Sequence, residues 1–264
     1  MIDPAVPSNA NDRDDAFGRL VELVRGRTRI VALTGAGIST ESGIPDYRGP
    51  QGVWTTGKLP RLDDFATNPD TRRTYWLSWR ERYPASRLIQ PNEGHHALVR
   101  LERAGVLLAV ITQNIDGLHV QAGQDPDRVL ELHGTRRLVQ CLINVHVWLA
   151  DDVYEQIRDT VEEPLCARCG SPMRSATVLF GEPLPADVLR RAAAAARTSD
   201  LMIVIGSSLV VNPAARMPRL AHDAGAATAI LNREPTQLDD TFDVVVHGEA
   251  GPTLTRLLAD LKMP

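Results

Sequence analysis

The side chains best suited to chemistry stand in short clusters, each directly after a run of apolar residues. Gly35, Ala36 and Gly37 follow "IVALT", and Gln113, Asn114, Ile115 and Asp116 follow "VLLAVIT". His133 follows "VLEL", Gly206, Ser207 and Ser208 follow "LMIVI", and Asn232 follows "ATAIL". Continuous apolar runs of this length are strands of a parallel sheet covered on both faces, and open α/β sheets bind ligands at the carboxyl ends of their strands. Small residues at 35–37 let backbone N–H groups approach a pyrophosphate at a helix start. Amides, hydroxyls, a carboxylate and an imidazole that is mostly neutral near pH 7 supply donors, acceptors and a base. Each cluster alone also reads as a tight turn, a strand-end cap or a satisfied histidine. Together they point to one polar pocket along a sheet edge.

The first cluster opens like a dinucleotide-binding turn and then breaks off. Thr40 stands where the third glycine of G-x-G-x-x-G is required, and Pro45 stops a helix begun near Gly37 after barely two turns. The turn-rich "PDYRGP" follows, and no acid closes the second strand to grip an adenosine ribose as in a hydride-transfer enzyme.

The elements that must position these groups are legible around them. Helical spacing at Phe17, Leu20, Val21, Leu23 and Val24 leads into the first strand, and helical patterns at Glu93–Arg103, Pro185–Arg197, Pro213–Ala224 and Pro252–Leu261 separate later strands, including "DVVVHG". The expected fold is α/β, a Rossmann-like parallel sheet with helices on both faces. Two stretches break the alternation. Residues 49–91 hold three of the four tryptophans in a Pro-punctuated helical segment, and residues 135–180 hold all three cysteines. Both read as insertions that build a small second domain. The division is 13–48, 92–134 and 181–264 for the large domain and 49–91 with 135–180 for the small one, after a disordered 1–12.

Composition excludes several classes. A net charge of −4 without any Lys/Arg block interleaved with aromatics gives no footprint for nucleic acid. No apolar run reaches the roughly 18 residues that span a bilayer, and the amino-terminal stretch lacks the basic and apolar regions of a signal peptide. A cytoplasmic monomer without membrane or nucleic-acid partners is expected. In a reducing compartment, Cys141, Cys166 and Cys169 suggest metal ligation rather than disulfides.

Several of these stretches taken together, "GAGISTESGIPDYRG", "TQNIDGLH", "ELHGT", a cysteine pair before "FGE", and "IGSSLVVNPA", resemble the sirtuins, the NAD-dependent protein-lysine deacylases. The likeness runs from about residue 30 to the carboxyl terminus, and "STESGIPDYR" with "YWLSWRERYP" looks closest to the class that includes the mitochondrial sirtuin four branch. It implies that NAD is consumed as a co-substrate, with Pro45, Asp46, Tyr47 and Arg48 folding over the nicotinamide-side ribose. Trp54, Thr40, Gln113, Ile115, Gly206, Ser207, Ser208, Asn232, Glu234 and Ala250 join the clusters above as implied NAD contacts. Asn114 would bind ribose or an ordered water, Asp116 would hold the nicotinamide carboxamide, and His133 would take a proton from a ribose hydroxyl. An acyl-lysine peptide would lie extended between Val178, Phe180, Gly181 and Glu182 on one side and Val210 and Asn212 on the other.

The likeness has departures. The family's structural zinc takes C-x-x-C twice, but here the first pair reads Cys141-Leu-Ile-Asn144. His146, Asn144 or water could complete the set, or the metal could be weak or lost. No Tyr-x-x-Arg pair that would favour acidic acyl groups occurs between Thr74 and Pro91, so the acyl group stays open. Mono-ADP-ribosyl transfer at the same site and a non-catalytic NAD-sensing module are the competing readings.

Overall fold

The computed structural model describes residues 10–46, 60–160 and 162–263. Among these, the main sheet holds β1 (Ile30–Thr34), β2 (Leu107–Thr112), β3 (Val129–Glu131), β7 (Leu201–Ile205), β8 (Ala227–Asn232) and β9 (Val244–His247) in the order β3-β2-β1-β7-β8-β9, all parallel. The chain winds outward from β1 in one direction and from β7 in the other. The reversal between β1 and β7 opens a crevice outside their carboxyl ends, where this kind of sheet takes a ligand.

Strand alternation builds two cores. Ile30 and Ala32 on β1, with Ile203 and Ile205 on β7, face the helices Ala10–Val24, Glu93–Arg103 and Ala250–Asp260 through Leu20, Leu98, Leu101, Leu254 and Leu257. Val31, Leu33, Met202 and Val204 face the other way onto helices Ala186–Thr198 and Met217–Asp223 through Ala192, Ala196, Met217 and Ala221. The alanine run at 192–196 is thus a small-residue face that lets its helix lie close to the sheet. The first helix, Ala10–Val24, leads into β1.

A second sheet, β4 (Gly134–Cys141), β5 (Val147–Leu149) and β6 (Met173–Thr177), runs antiparallel in the order β5-β4-β6. Helix Pro69–Ser86 lays Trp76, Trp79 and Tyr83 against Val139, Cys141 and Met173 and against Val153 and Ile157 of helix Ala150–Ile157. Trp76 Nε1 donates to the Met173 carbonyl at 3.0 Å, and Trp79 stacks on Tyr83 at 4.3 Å. Buried Arg72 pairs with half-buried Glu163 at 2.6 Å and fastens the helix to the cysteine-bearing segment. The aromatic stretch that suggested a sirtuin branch therefore carries packing between the two insertions. Among the described residues no helix is long and apolar enough to cross a membrane.

Candidate active site

The glycines at the β1 and β7 ends are demanded first by the protein's own backbone. Gly35 N–H donates to the Ile205 carbonyl at 3.0 Å and Gly37 N–H to the Gly206 carbonyl at 2.8 Å. A Cβ on Gly37 would lie 2.6 Å from the Gly206 Cα, and one on Gly206, whose φ is +61°, would lie 2.4 Å from the Ile38 nitrogen. Two turns cross here closer than any side chain permits. The N–H groups of Gly35 and Gly37 are therefore spent within the protein, and the 3₁₀ helix Ala36–Ser42 that follows ends at Gly43, before Pro45. Thr40 turns its hydroxyl back onto the Gly37 carbonyl at 2.9 Å.

Beneath this crossing the end of β2 builds a dense polar cluster. Asn114 Nδ2 donates to the Gly35 carbonyl at 3.1 Å and to Ser39 Oγ at 3.2 Å, and Ser39 Oγ donates to Asp116 Oδ2 at 2.8 Å. The other Asp116 oxygen accepts the Leu118 N–H at 2.9 Å. Gln113 Nε2 reaches Ser207 Oγ at 2.7 Å, which ties the β2 end to the β7 end across β1. Asn114 is buried, yet its Oδ1 has no partner among the described residues. A buried acceptor left open is costly unless something fills it, and a hydroxyl or an ordered water suits it. A ribose in the crevice fits that requirement.

His133 stands between the two sheets, because the next residue starts β4 and its own carbonyl accepts the Val178 N–H at 2.9 Å. Its Nδ1 lies 2.8 Å from the Gln113 carbonyl. A carbonyl only accepts, so Nδ1 carries the proton and Nε2 is left bare. Burial pushes the imidazole below its ordinary value, against the smaller opposite pull of the Gln113 carbonyl. The ring is thus a neutral base at pH 7 with one nitrogen available.

The remaining expected contacts lie on other strand ends and loops. Ser208, Val210 and Asn212 are exposed on the loop after β7, and Ile115 is half-buried with its carbonyl taken by the Arg136 N–H at 2.9 Å. Asn232 closes β8 with Nδ2 on the Glu234 carbonyl at 2.6 Å, and buried Ala250 begins the last helix. Phe180 bridges the backbone of Arg61, Gly181 has φ +82°, and Glu182 pairs with buried Arg174 at 2.5 Å. Pro45 is exposed and Asp46 half-buried beside it. Tyr47, Arg48 and Trp54 lie outside the described residues. Sequence reasoning missed Ser39, which joins Asn114 to Asp116, because one serine within "GIST" carries no spacing signal.

Cys141, His146, Cys166 and Cys169 bring four donor atoms within 4.8 Å of one another. Cys169 Sγ is 3.2 Å from Cys166 Sγ and 3.5 Å from Cys141 Sγ, and His146 Nδ1 is 3.3 Å from Cys166 Sγ. Three sulfurs and one imidazole nitrogen are a tetrahedral zinc set. Asn144 stays outside it, with Nδ2 directed at Cys169 Sγ at 3.3 Å and its N–H at Cys141 Sγ at 3.4 Å.

Comparison with known proteins agrees with this geometry. The model of the Sir2 family matches residues 35–213. A Bradyrhizobium diazoefficiens protein named NAD-dependent protein deacetylase 1 is 42% identical over 93% of this chain and 96% of its own length. A Pyrobaculum aerophilum protein named NAD-dependent protein deacylase 2 is 39% identical over 92% of this chain and 95% of its own. A solved Sir2 enzyme superposes with a TM-score of 0.83 at 39% identity, covering 94% of this chain and 98% of that one. A Sir2 complex with a p53 peptide and NAD+ gives 0.80 at 36% identity, over 92% and 97%. With the motifs, the doubly wound sheet and relatives along almost the whole length in agreement, the chain belongs to the Sir2 family, the sirtuins.

Proposed function

We propose that this protein is an NAD-dependent protein-lysine deacylase, which moves an acyl group from a lysine side chain to ADP-ribose and releases nicotinamide and free lysine. The observation that carries the reading is the orientation of His133, whose Nδ1 is turned to the Gln113 carbonyl at the end of β2, so that Nε2 is the acceptor nitrogen. Binding alone would not require a positioned, neutral base. The names of the relatives and the Sir2 complex with peptide and NAD+ support the same reading.

NAD, when bound, supplies a glycosidic bond whose cleavage leaves an electrophilic sugar carbon. The roles of the chain's own residues follow from their partners. Asn114 offers its open Oδ1 to a ribose hydroxyl or a water, while its Nδ2 stays fixed by Gly35 and Ser39. Asp116, oriented by Ser39 and the Leu118 N–H, holds the nicotinamide amide. His133 accepts a ribose hydroxyl proton at Nε2 once the acyl group is engaged. Thr40, Gln113, Ser207, Ser208, Asn232, Glu234 and Ala250 frame the cofactor, and Val178, Phe180, Gly181, Glu182, Val210 and Asn212 frame an acylated peptide. A structural zinc would be held by Cys141, His146, Cys166 and Cys169 and supply cohesion to the small sheet.

The test is incubation with NAD and a panel of acyl-lysine peptides, with mass spectrometry of both products. Nicotinamide and acyl-ADP-ribose should appear in equal amounts, and nicotinamide should inhibit. Label from NAD on protein would indicate ADP-ribosyl transfer instead, and NADH would indicate hydride transfer.

A further inference from the structure

We propose that Glu102, Gln124, His119, Thr34 and Thr112 form a one-way hydrogen-bond chain that holds the Asn114 backbone in place, which makes His119 and the two threonines positioning residues for the reaction above; the inference rests on that reading for its consequence but not for its geometry. The links run in sequence. Gln124 Nε2 lies 3.3 Å from Glu102 Oε2, and Gln124 Oε1 lies 3.0 Å from His119 Nδ1. His119 Nε2 is 2.9 Å from Thr34 Oγ1, which is 2.9 Å from Thr112 Oγ1. Thr112 Oγ1 accepts the Asn114 N–H at 3.0 Å. Thr34, Thr112, Asn114, His119 and Gln124 are all buried, so the links are shielded from bulk water.

Hydroxyl and imidazole contacts can be read in either direction from distance alone, but the two ends of this chain fix the direction. The Glu102 carboxylate only accepts, and it also takes the Asp125 N–H at 3.0 Å, so the Gln124 amide nitrogen must face it. The Gln124 carbonyl oxygen then faces His119, which makes Nδ1 the protonated nitrogen. A neutral ring consequently presents a bare Nε2, and Thr34 spends its one hydroxyl proton there. Thr112 must in turn donate to Thr34, leaving its lone pairs for the Asn114 N–H, which can only donate. Every group is satisfied in this orientation of a neutral ring, whereas the opposite run, with Thr34 donating to Thr112, requires both nitrogens of His119 to be protonated. Burial lowers His119 to about 4, in keeping with a neutral ring.

The geometry gives the chain a function. Thr34 and Thr112 are paired residues at the ends of β1 and β2, and Asn114 is two residues past the second of them. His119 and Gln124 lie on and just after the helix Leu118–Gln121 that follows Asp116, while Glu102 belongs to helix Glu93–Arg103. Thus the two sides of the pocket floor, and the loop that carries Asn114 and Asp116, are locked to one another through polar contacts that have one arrangement.

Nitrogen-15 NMR of the free protein, without NAD or peptide, reads the His119 tautomer directly and so is independent of the proposed activity. The expected state is neutral with the proton on Nδ1; a proton on Nε2, or a charged ring at pH 7, overturns the chain. Thr34→Val and Thr112→Val keep the side-chain shape and remove the hydroxyl. In protein shown to be folded by circular dichroism, Thr112→Val should weaken NAD binding about tenfold by leaving the Asn114 N–H unpaired, with Thr112→Ser restoring it. Thr34→Val should alter the His119 spectrum and weaken NAD in the same direction. Wild-type affinity in both valine variants would overturn the positioning role, whereas failure of the wild type to bind NAD would count against the deacylase reading alone.

Discussion

At the residue scale, most of the site is a matter of which group is left with something to offer. Among the described residues, His133 has one nitrogen turned to a carbonyl and the other as an acceptor, Asn114 has its amide nitrogen bonded and its oxygen without a partner, and Asp116 has one donor on each oxygen. Asp116→Asn is accordingly more disruptive than its shape suggests. Its NH2 would have to face either the Leu118 N–H, where donor meets donor, or the Ser39 hydroxyl, which would then lose the acceptor it now has and turn its proton away; either costs about 1–3 kcal/mol. The variant should show a lower urea midpoint, and inhibition by nicotinamide should need about tenfold more of it. Unchanged nicotinamide inhibition in a folded Asp116→Asn protein would remove Asp116 from that role. The types of these residues were readable in the sequence because each follows an apolar strand. Their partners were not, since Ser39 and Thr34 meet Asp116 and His119 only through contacts across 77 and 85 residues of chain.

At the scale of elements, the parallel sheet was legible because its strands are continuous apolar runs, and the helix Glu93–Arg103 because its buried residues recur at helical spacing. The glycines were legible by type, as a turn small enough for a pyrophosphate, while their place in the fold was not. Their N–H groups serve the crossing of two turns, a contact that no single stretch of sequence contains. Gly206→Ala should therefore lower the melting temperature and abolish NAD binding, because a Cβ there meets backbone that has no side-chain freedom to move. The broken cysteine motif was also legible only in part. Three thiols announced a metal, while the fourth donor depended on the β4–β5 hairpin turning His146 Nδ1 toward Cys166. His146→Ala should lose most of the zinc, measured as about one ion per chain in the wild type by atomic emission, and should lower stability more than it changes turnover. A wild-type protein that is metal-free, stable and active would show that the aromatic core of Trp76, Trp79 and Tyr83 holds this sheet without an ion.

At the scale of the whole molecule, the pocket floor imposes a pH dependence on stability. Burial holds His95, on helix Glu93–Arg103 with its ring 4.9 Å from that of His119, at about 2 and His119 at about 4 in the folded protein, whereas an unfolded histidine takes up its proton near 6.5. Below about pH 6.5 the unfolded chain binds protons that the native state refuses, so stability must fall as pH falls, down to about 4 for His119 and about 2 for His95. Each histidine contributes on the order of 1.4 kcal/mol per pH unit in that window. Urea unfolding at pH 7.5 and 5.5 should differ by roughly 2–3 kcal/mol, before carboxylates begin to titrate, and a flat profile would contradict the burial of these two rings. The same floor supports the chemistry, whose central claim is that His133 acts after the cofactor has docked and the acyl group is engaged. The direct measurement is a single-turnover comparison of wild type and His133→Ala, following labelled nicotinamide exchange and acyl-ADP-ribose formation together. The variant should still exchange nicotinamide while acyl-ADP-ribose formation falls about 10²- to 10⁴-fold; full acyl transfer by His133→Ala would contradict the account.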